Sequence, residues 1–169
     1  MKLYLVRCTA ASRAAFLVYD ASGTRCCTVR SLSGLLSDGF QILGTFAEQD
    51  TVVYGTQTRL PHGRRFVIEE NGQKRARVFL LPDDTLSSIQ VDRAVCPVLG
   101  QPLRGEYSVL APNGDPIYCQ RHFPQCRNAS VYELDIMREE LAAVCVGIAV
   151  CLNHKPTVYR KTFVPVPAD

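Results

Sequence analysis

The sequence contains none of the short motifs by which common enzyme classes are recognised. It has no Gly-x-Ser-x-Gly nucleophile elbow, no glycine-rich phosphate-binding loop and no His-Glu-x-x-His zinc motif. Its three histidines are His62, His122 and His154. The adjacent carboxylates Asp83 and Asp84 follow Leu-Pro, a context that favours a turn over an acid-base pair. We therefore expect a protein that is not an enzyme and that uses no cofactor.

A signal peptide and a membrane-spanning run are also missing. Lys2 is followed by four apolar residues before Arg7, whereas a secretory signal needs an apolar stretch of about 7 to 15. The longest apolar run has twelve residues, short of the roughly 20 with which a helix crosses a bilayer. These absences predict a cytoplasmic protein without a transmembrane span, and we expect its eight cysteines to be reduced thiols.

No linker rich in glycine, serine or charge interrupts the sequence, which predicts a single domain over residues 1–169. The formal net charge of +3 is too small to indicate a nucleic acid as partner. Only a local cluster of arginine and lysine would then point to an anionic partner.

What the sequence does contain is one stretch, Leu141 to Leu152, without a charge, a strong hydrogen-bonding side chain or a proline. Glu139 and Glu140 precede it, where carboxylates favour the start of a helix, and Asp135 is the predicted N-cap. Because the stretch is apolar on every side, the predicted helix Met137 to Leu152 has to be surrounded by protein. A closed sheet surrounds a single helix, so we expect strands elsewhere in the chain.

Three segments repeat a β-hairpin pattern, in which an aromatic residue and alternating apolar residues lead to a turn that ends in glycine. A second short strand follows each, and the pattern recurs about every 40 to 50 residues. The glycine suits the left-handed position that ends a three-residue hairpin loop. The paired segments are Phe16 to Gly23 with Arg25 to Arg30, Phe66 to Gly72 with Lys74 to Leu81, and Tyr107 to Gly114 with Pro116 to Arg121.

A three-residue loop fixes the register of the third hairpin. The loop is Pro112 to Gly114, and proline suits the first position of such a turn. This loop predicts two cross-strand pairs, Val109 with Ile117 and Tyr107 with Cys119.

In the middle hairpin the same loop places Phe66 opposite Ala76 and Ile68 opposite Lys74, on an apolar inner face. The outer face then carries arginines, with one arginine directly opposite another. Like charges in such a pair are destabilising, and an anionic partner would relieve their repulsion. A solvated face whose side chains splay apart is the alternative, since salt screens the repulsion. The candidate lipid- or anion-binding residues are the opposed pair Arg65 and Arg77, then Arg75, Arg64 and Arg59.

Weaker patterns predict further strands between and after the hairpins. Thr157 to Val164 alternates and is predicted as a final strand after the helix. Cys96 to Pro102 is predicted to be a long connection between two halves of the barrel. The other predicted strands are Leu3 to Cys8, Phe40 to Phe46, Thr51 to Thr58, Leu86 to Asp92 and Val131 to Asp135.

Cys119, His122 and Cys126 have a spacing that would supply three zinc ligands. A structural zinc site usually shows two paired ligand clusters, whereas this sequence shows one. We therefore predict no metal and interpret these side chains as strand-core and loop residues. The hypothetical fourth ligands are Cys8, Cys96 and His154.

The repeated hairpins, followed by Val131 to Asp135 and an all-apolar C-terminal helix, resemble the tubby C-terminal superfamily, and within it the LURP-one-related and phospholipid-scramblase-like proteins. The resemblance covers nearly the whole chain and rests on pattern. It implies a closed antiparallel barrel threaded by its hydrophobic helix. Tubby proteins bind phosphoinositides, scramblases are associated with lipid movement across bilayers, and LURP-one proteins are linked to plant defence. The scramblase proline-rich leader and cysteine-rich run do not occur here.

Taken together, these patterns predict a mainly β protein, a closed antiparallel β-barrel of repeated hairpins around a buried hydrophobic C-terminal helix. The predicted function is a non-enzymatic binding or regulatory module that recognises an anionic, phosphoinositide-like lipid surface. A protein-interaction domain, for an acidic or other protein, is the alternative. A small structural zinc-binding protein is the third interpretation.

Overall fold

The computed structural model describes residues 1–8, 14–33, 38–123 and 130–153. Within these ranges an antiparallel sheet of 13 strands curves into a nearly closed barrel around a helix, which confirms the predicted fold class. The predicted strand Thr157 to Val164 and the zinc candidates Cys126 and His154 lie outside the described residues.

Alternate residues along most strands are buried, as expected for a wall with one face toward a core. The barrel interior is filled by aromatic and branched aliphatic side chains such as Phe16, Phe40, Phe66, Ile42 and Ile89. The strands in chain order are β1 (Lys2–Arg7), β2 (Ala14–Asp20), β3 (Arg25–Ser33), β4 (Asp38–Phe46), β5 (Gln49–Leu60), β6 (Gly63–Glu70), β7 (Gln73–Leu80), β8 (Leu86–Val91), β9 (Ala94–Cys96), β10 (Val98–Gln101), β11 (Glu106–Leu110), β12 (Pro116–Phe123) and β13 (Val131–Ile136).

The strands are ordered β10-β11-β12-β13-β1-β2-β3-β4-β5-β6-β7-β8-β9, and every neighbouring pair is antiparallel. An even number of antiparallel steps separates β9 from β10, so these two end strands run in the same direction. Only Pro97 lies between them in the chain, and they continue one another along the wall. The Leu110 N–H donates a 2.9 Å hydrogen bond to the Pro97 carbonyl oxygen. The chain therefore changes partner at Pro97, from β8 to β11.

This partner change corrects the prediction that Cys96 to Pro102 is a connection between two halves. The segment contains β10 and the end of β9, and it closes the barrel. The strand is not predicted from the sequence because the segment contains two prolines and one glycine, and both residue types are uncommon inside strands. Pro97 stands between the two strands, and Gly100 has a φ of +103°, a backbone conformation that glycine adopts without strain.

The helix α1 (Ala142–Asn153) lies inside the barrel and contacts strands on several sides. Every one of its residues except Leu152 is buried, which confirms the prediction of an enclosed helix. Burying a valine or isoleucine side chain contributes about 1.5–3 kcal/mol, so an all-apolar helix stabilises the barrel from within. The wall is close enough that a Cβ added to Gly147 would lie 3.1 Å from Ile68 Cγ2.

The start of the helix differs from the prediction. Asp135 is not an N-cap, because it belongs to β13, where it pairs with Lys2 on one side and Cys119 on the other. A 3₁₀ turn, Glu139–Leu141, then leads into α1. The two acidic residues do lie in the first turn of this segment, as the sequence predicts.

The first and third hairpins have the predicted three-residue loops. The Asp20 N–H donates to the Thr24 carbonyl oxygen at 2.9 Å, and the Ala111 N–H donates to the Asp115 carbonyl oxygen at 2.7 Å. In the third hairpin, however, a β-bulge shifts the strands by one residue beyond the loop. The predicted pairs are therefore wrong: Val109 pairs with Tyr118 and Tyr107 pairs with Gln120.

The middle hairpin has a two-residue loop, so its predicted three-residue loop is wrong. Glu70 pairs with Gln73, and the loop residues Asn71 and Gly72 have φ values of +48° and +82°. Two positive φ values are typical of a type I′ turn, for which asparagine followed by glycine is favoured. A bulge at Arg75 then restores the apolar inner face, so that Phe66 pairs with Val78 and Ile68 with Ala76. The pairs Phe66 with Ala76 and Ile68 with Lys74 do not form.

Candidate anion-binding surface

The five arginines predicted to bind anions do not form one surface. Arg65 and Arg77 are not opposite each other, because the bulge moves Arg65 opposite Phe79 and Arg77 opposite Val67. The repulsion that first suggested an anionic partner is therefore smaller than the sequence implies.

Arg75 is held by two carboxylates at the edge of the barrel. Its Nη1 lies 2.6 Å from Glu70 Oε2, and its Nε lies 2.7 Å from Asp92 Oδ1. The hydrogen bond with Asp92 raises the pKa of the Arg75 guanidinium above its ordinary value. Burial raises the pKa of the Glu70 carboxyl, and the charge of Arg75 opposes that shift. Arg75 thus has a structural role, since its guanidinium is paired with carboxylates, whereas the sequence predicts a cation that is available to a ligand.

Arg64 also has partners within the protein. Its Nη2 forms an ion pair with the Asp84 carboxylate, and its guanidinium carbon lies 5.9 Å from the centroid of the Phe66 ring. Asp84 has a φ of +67°, and the Thr85 N–H donates to Asp83 Oδ1 at 3.0 Å. The two adjacent carboxylates therefore form a turn, in keeping with their sequence context, and Asp84 anchors Arg64.

Arg59 is well exposed and lies 3.9 Å from the Asp38 carboxylate at the far end of β5. Arg65 and Arg77 occupy the outer face of β6 and β7. The Arg65 Nε is buried and has no hydrogen-bond partner within the described part of the chain. Arg77 is exposed and forms no ion pair among these same residues.

A small cleft on β7 and β8 brings further cations beside Arg77. It has a volume of about 120 Å³, and we call it the basic cleft. Glu69 is opposite Lys74 in the register but forms no ion pair with it in the described structure. The cleft is lined by Lys74, Arg75, Ala76, Arg77, Gln90 and Arg93, none of which is acidic.

The sequence interpretation missed Lys74 and Arg93. Arg93 follows Asp92 in a tight turn in which both residues have positive φ, +47° for Asp92 and +71° for Arg93. This turn joins β8 to β9, which begins at Ala94 and pairs back onto Val91. The missed signal was a hairpin without glycine at its turn, and the turn residue Arg93 lines the same cleft as Arg77.

The basic cleft favours anions for an electrostatic reason. Lys74, Arg77 and Arg93 are cations without an ion-pair partner among the described residues, and they line one cleft of the outer surface. Neighbouring like charges repel each other, and a bound anion converts that repulsion into attraction. Arg75 contributes no free positive charge to the cleft, because it is paired with two carboxylates, Glu70 and Asp92, whose summed charge exceeds its own.

The zinc candidates that the structure describes do not converge. Cys119 and His122 are three residues apart on β12, so their side chains point to opposite faces of the strand. The Cys119 Sγ accepts a hydrogen bond from the Ser108 Oγ at 3.0 Å. The His122 ring stacks on Tyr132 at a centroid distance of 4.9 Å. Among the described residues, no group of three or more potential ligands is placed to hold a metal ion.

The cysteines inside the barrel are buried thiols. Cys27, Cys145 and Cys151 are buried, and burial raises the pKa of each thiol above its ordinary value. Cys26 points away from Cys27 and is half-buried, as the alternation of a strand predicts. All seven cysteines that the structure describes are free.

A buried polar network fixes the end of the helix. The Asn153 Nδ2 donates to Gln120 Oε1 at 2.9 Å and to the Ala149 carbonyl oxygen at 2.7 Å. The Tyr107 hydroxyl donates to the same Gln120 oxygen at 3.0 Å and lies 3.0 Å from the Tyr118 hydroxyl. These groups satisfy one another inside the barrel, so we assign them a structural role.

Comparisons with known proteins support the fold. No family model matches the chain, and no curated protein matches it in sequence. A crystal structure of a protein from Arabidopsis thaliana is similar, with a TM-score of 0.54 and 16% identity, over 90% of this chain and 92% of that protein. This likeness shows that the two chains share a barrel fold. Among the helices described, none is long and apolar enough to cross a membrane.

Proposed function

We propose that this protein is a non-enzymatic module that binds anionic lipid surfaces through the basic cleft. The observation that carries the proposal is the set Lys74, Arg77 and Arg93, three cations without carboxylate partners around one exposed cleft. Arg65 lies on the same outer face and adds positive charge at its edge. The resemblance to tubby and scramblase-like proteins supports lipid as the class of partner.

The proposed site differs from the set of residues that the sequence suggested. Arg64 and Arg75 are neutralised by carboxylates, and Arg59 lies beside Asp38 at another part of the barrel. A cytoplasmic protein would meet phosphatidylserine and phosphoinositides on the inner leaflet, whose negative surface potential attracts basic clusters. Each basic residue near such a surface contributes about 1 kcal/mol.

The proposal is tested by co-sedimentation with vesicles of phosphatidylcholine alone, with phosphatidylserine, and with a phosphoinositide. The wild-type protein should bind the anionic vesicles at low salt and leave them at high salt, because salt screens exposed charges. The variant Lys74→Glu with Arg77→Glu and Arg93→Glu should lose about 100-fold or more in affinity, since three cations contribute roughly 3 kcal/mol.

A matched control reverses three exposed arginines elsewhere on the barrel, at Arg25, Arg30 and Arg59. It changes the net charge by the same amount, so it isolates the effect of the cleft from that of overall charge. We expect the control to retain most of the binding. Equal losses in both variants, or no binding of the wild-type protein to any anionic vesicle at low salt, would contradict the proposal.

A protein-interaction domain is the second candidate function. The observation that favours it is a pair of exposed apolar side chains, Val95 and Leu103, which line one hollow where the barrel closes. Large apolar side chains grouped at the surface of a protein often mark an interaction site.

A further inference from the structure

The place where the barrel closes contains an apolar groove, which we call the seam groove. It has a volume of about 600 Å³ and is lined by residues 85–88, 95–98 and 101–104. It shares no lining residue with the basic cleft. The groove lies between β8 on one side and the partner-changing segment β9 and β10 on the other.

Within the described residues, two strand edges that border this groove have no partner strand. The last pair between β8 and β9 is Ile89 with Cys96, so Leu86 to Ser88 of β8 extend beyond the paired region. β10 pairs with β11 along one edge only, because the sheet formed by the described residues ends at β10. Backbone N–H and C=O groups at a free strand edge are ready to pair with an added strand.

The edge segment lacks the usual protection against such pairing. Residues 94–103 contain no charged side chain, although charges commonly block edge strands. Val95, Leu99 and Leu103 are 59%, 59% and 65% exposed, the three highest values among the exposed large hydrophobic residues of the described chain. Pro97 blocks strand addition only at its own position, and β10 itself contains no proline.

One end of the groove is positively charged. Arg104 ends the 3₁₀ turn Pro102–Arg104, lines the groove, and forms no ion pair among the residues that the structure describes. The groove lining includes no carboxylate. An occupant that carries a negative charge at this end would therefore complement the groove.

We propose that the seam groove binds an extended, apolar segment of a partner protein, which adds as a β-strand between β8 and β10. Its alternate apolar side chains contact Val95 and Leu103, and an acidic side chain or terminal carboxylate pairs with Arg104. The free strand edges favour a peptide over an acyl chain, because a hydrocarbon cannot pair with backbone N–H and C=O groups. This site is independent of the proposed lipid binding.

The first test measures fluorescence anisotropy of the full chain with short labelled peptides of alternating valine and threonine. Glutamate is placed at the amino end in one peptide and at the carboxyl end in another, and lysine replaces it in a matched pair. A fifth peptide has proline at every second position and cannot pair along a strand edge. We expect one of the glutamate peptides to bind about tenfold or more tightly than its lysine counterpart. The proline peptide should bind no better than a peptide with the residues of the glutamate peptide in scrambled order.

The second test compares variants at equally exposed positions. Val95→Lys changes the groove, whereas Leu99→Lys changes the same segment at a residue that lines a different hollow and has the same exposure. We expect Val95→Lys to weaken peptide binding about tenfold and Leu99→Lys to leave it unchanged. Arg104→Glu should reverse the preference, so that the lysine peptide binds and the glutamate peptide does not. Thermal melting of each variant separates loss of binding from loss of folding.

Several outcomes would overturn the proposal. One is that no peptide binds, and another is that the proline peptide binds as tightly as the glutamate peptides. Equal effects of the two lysine variants would place binding elsewhere. Binding of a labelled fatty acid that Val95→Lys abolishes, without peptide binding, would assign the groove to an amphiphile. A dimer in sedimentation that Val95→Lys dissociates would assign it to a second copy of this chain.

Discussion

At the scale of single residues, the structure separates arginines that stabilise the barrel from cations that are free for a ligand. Arg75 and Arg77 are two positions apart, yet the first is bound by Glu70 and Asp92 and the second has no carboxylate partner among the described residues. The difference comes from the bulge, which turns Arg75 toward the carboxylates. The number of arginines in the sequence of this sheet face is therefore larger than the number of cations that are available to a ligand.

This separation predicts opposite effects for two similar variants. Arg75→Glu places a third carboxylate beside Glu70 and Asp92 and should reduce the free energy of unfolding by about 1–3 kcal/mol, because it leaves the part-buried Glu70 carboxylate without its cation. Arg77→Glu should change it by less than about 0.5 kcal/mol, because the side chain is exposed and unpaired. Urea unfolding measures both. Equal stability of the two variants would show that the Arg75 ion pairs do not stabilise the fold.

How far the sequence predicts the candidate site also depends on single residues. Alternation correctly places Arg65 and Arg77 on the outer face, since buried and exposed residues alternate through most of β6 and β7. The alternation does not predict the environment of Arg75, because the extra residue of a β-bulge cannot be recognised in a pattern of apolar and polar residues. It fails at Arg93, because the turn of Asp92 and Arg93 has two non-glycine residues with positive φ.

At the scale of elements, the hairpins are recognisable and their registers are not. The turn residues of the middle hairpin fit either a two-residue or a three-residue loop, and the hydrophobic pattern favours the longer one. The shorter loop forms because Asn71 and Gly72 suit a type I′ turn, and the bulge at Arg75 then keeps Phe66 and Ile68 inside. The two-residue turn and the bulge together give the same alternation of buried and exposed residues that a three-residue loop would give.

The two-residue loop predicts a specific response to substitution at Asn71. Alanine there has to adopt the φ of +48°, which costs about 1–2 kcal/mol for a residue other than glycine or asparagine. The matched control is Asn113→Ala in the third hairpin, where the φ of residue 113 is not positive. Each asparagine also accepts one backbone N–H, from Val52 for Asn71 and from Asp115 for Asn113. Thermal unfolding should show a larger loss for Asn71→Ala, and a loss no larger than that of the control would contradict a type I′ turn.

At the scale of the whole molecule, the helix and the barrel stabilise each other. A twelve-residue apolar helix would be unstable alone in water, and a nearly closed sheet needs a filled interior. The sequence predicts this arrangement well, since an apolar run too short for a bilayer and hairpins along the rest of the chain leave few other ways to bury the run. The pattern does not predict the closing strand β10, because Pro97 interrupts the alternation at the point where the chain changes its partner strand.

The enclosed helix makes a final prediction at Gly147, in the middle of α1. Gly147→Arg should abolish folding, because a buried charge without a partner costs several kcal/mol, a large part of the roughly 5–15 kcal/mol by which a typical domain is stable. Gly147→Ala is the control: its Cβ would lie 3.1 Å from Ile68 Cγ2, so the side chain has to shift by a few tenths of an ångström, while alanine favours a helix by about 1 kcal/mol. We expect the alanine variant to remain soluble and to melt cooperatively within a few degrees of the wild type. The arginine variant should be insoluble or show no cooperative transition by circular dichroism. If the arginine variant melts at the wild-type temperature, the helix lies at the surface, because an arginine at position 147 inside this barrel would meet the apolar side chain of Ile68.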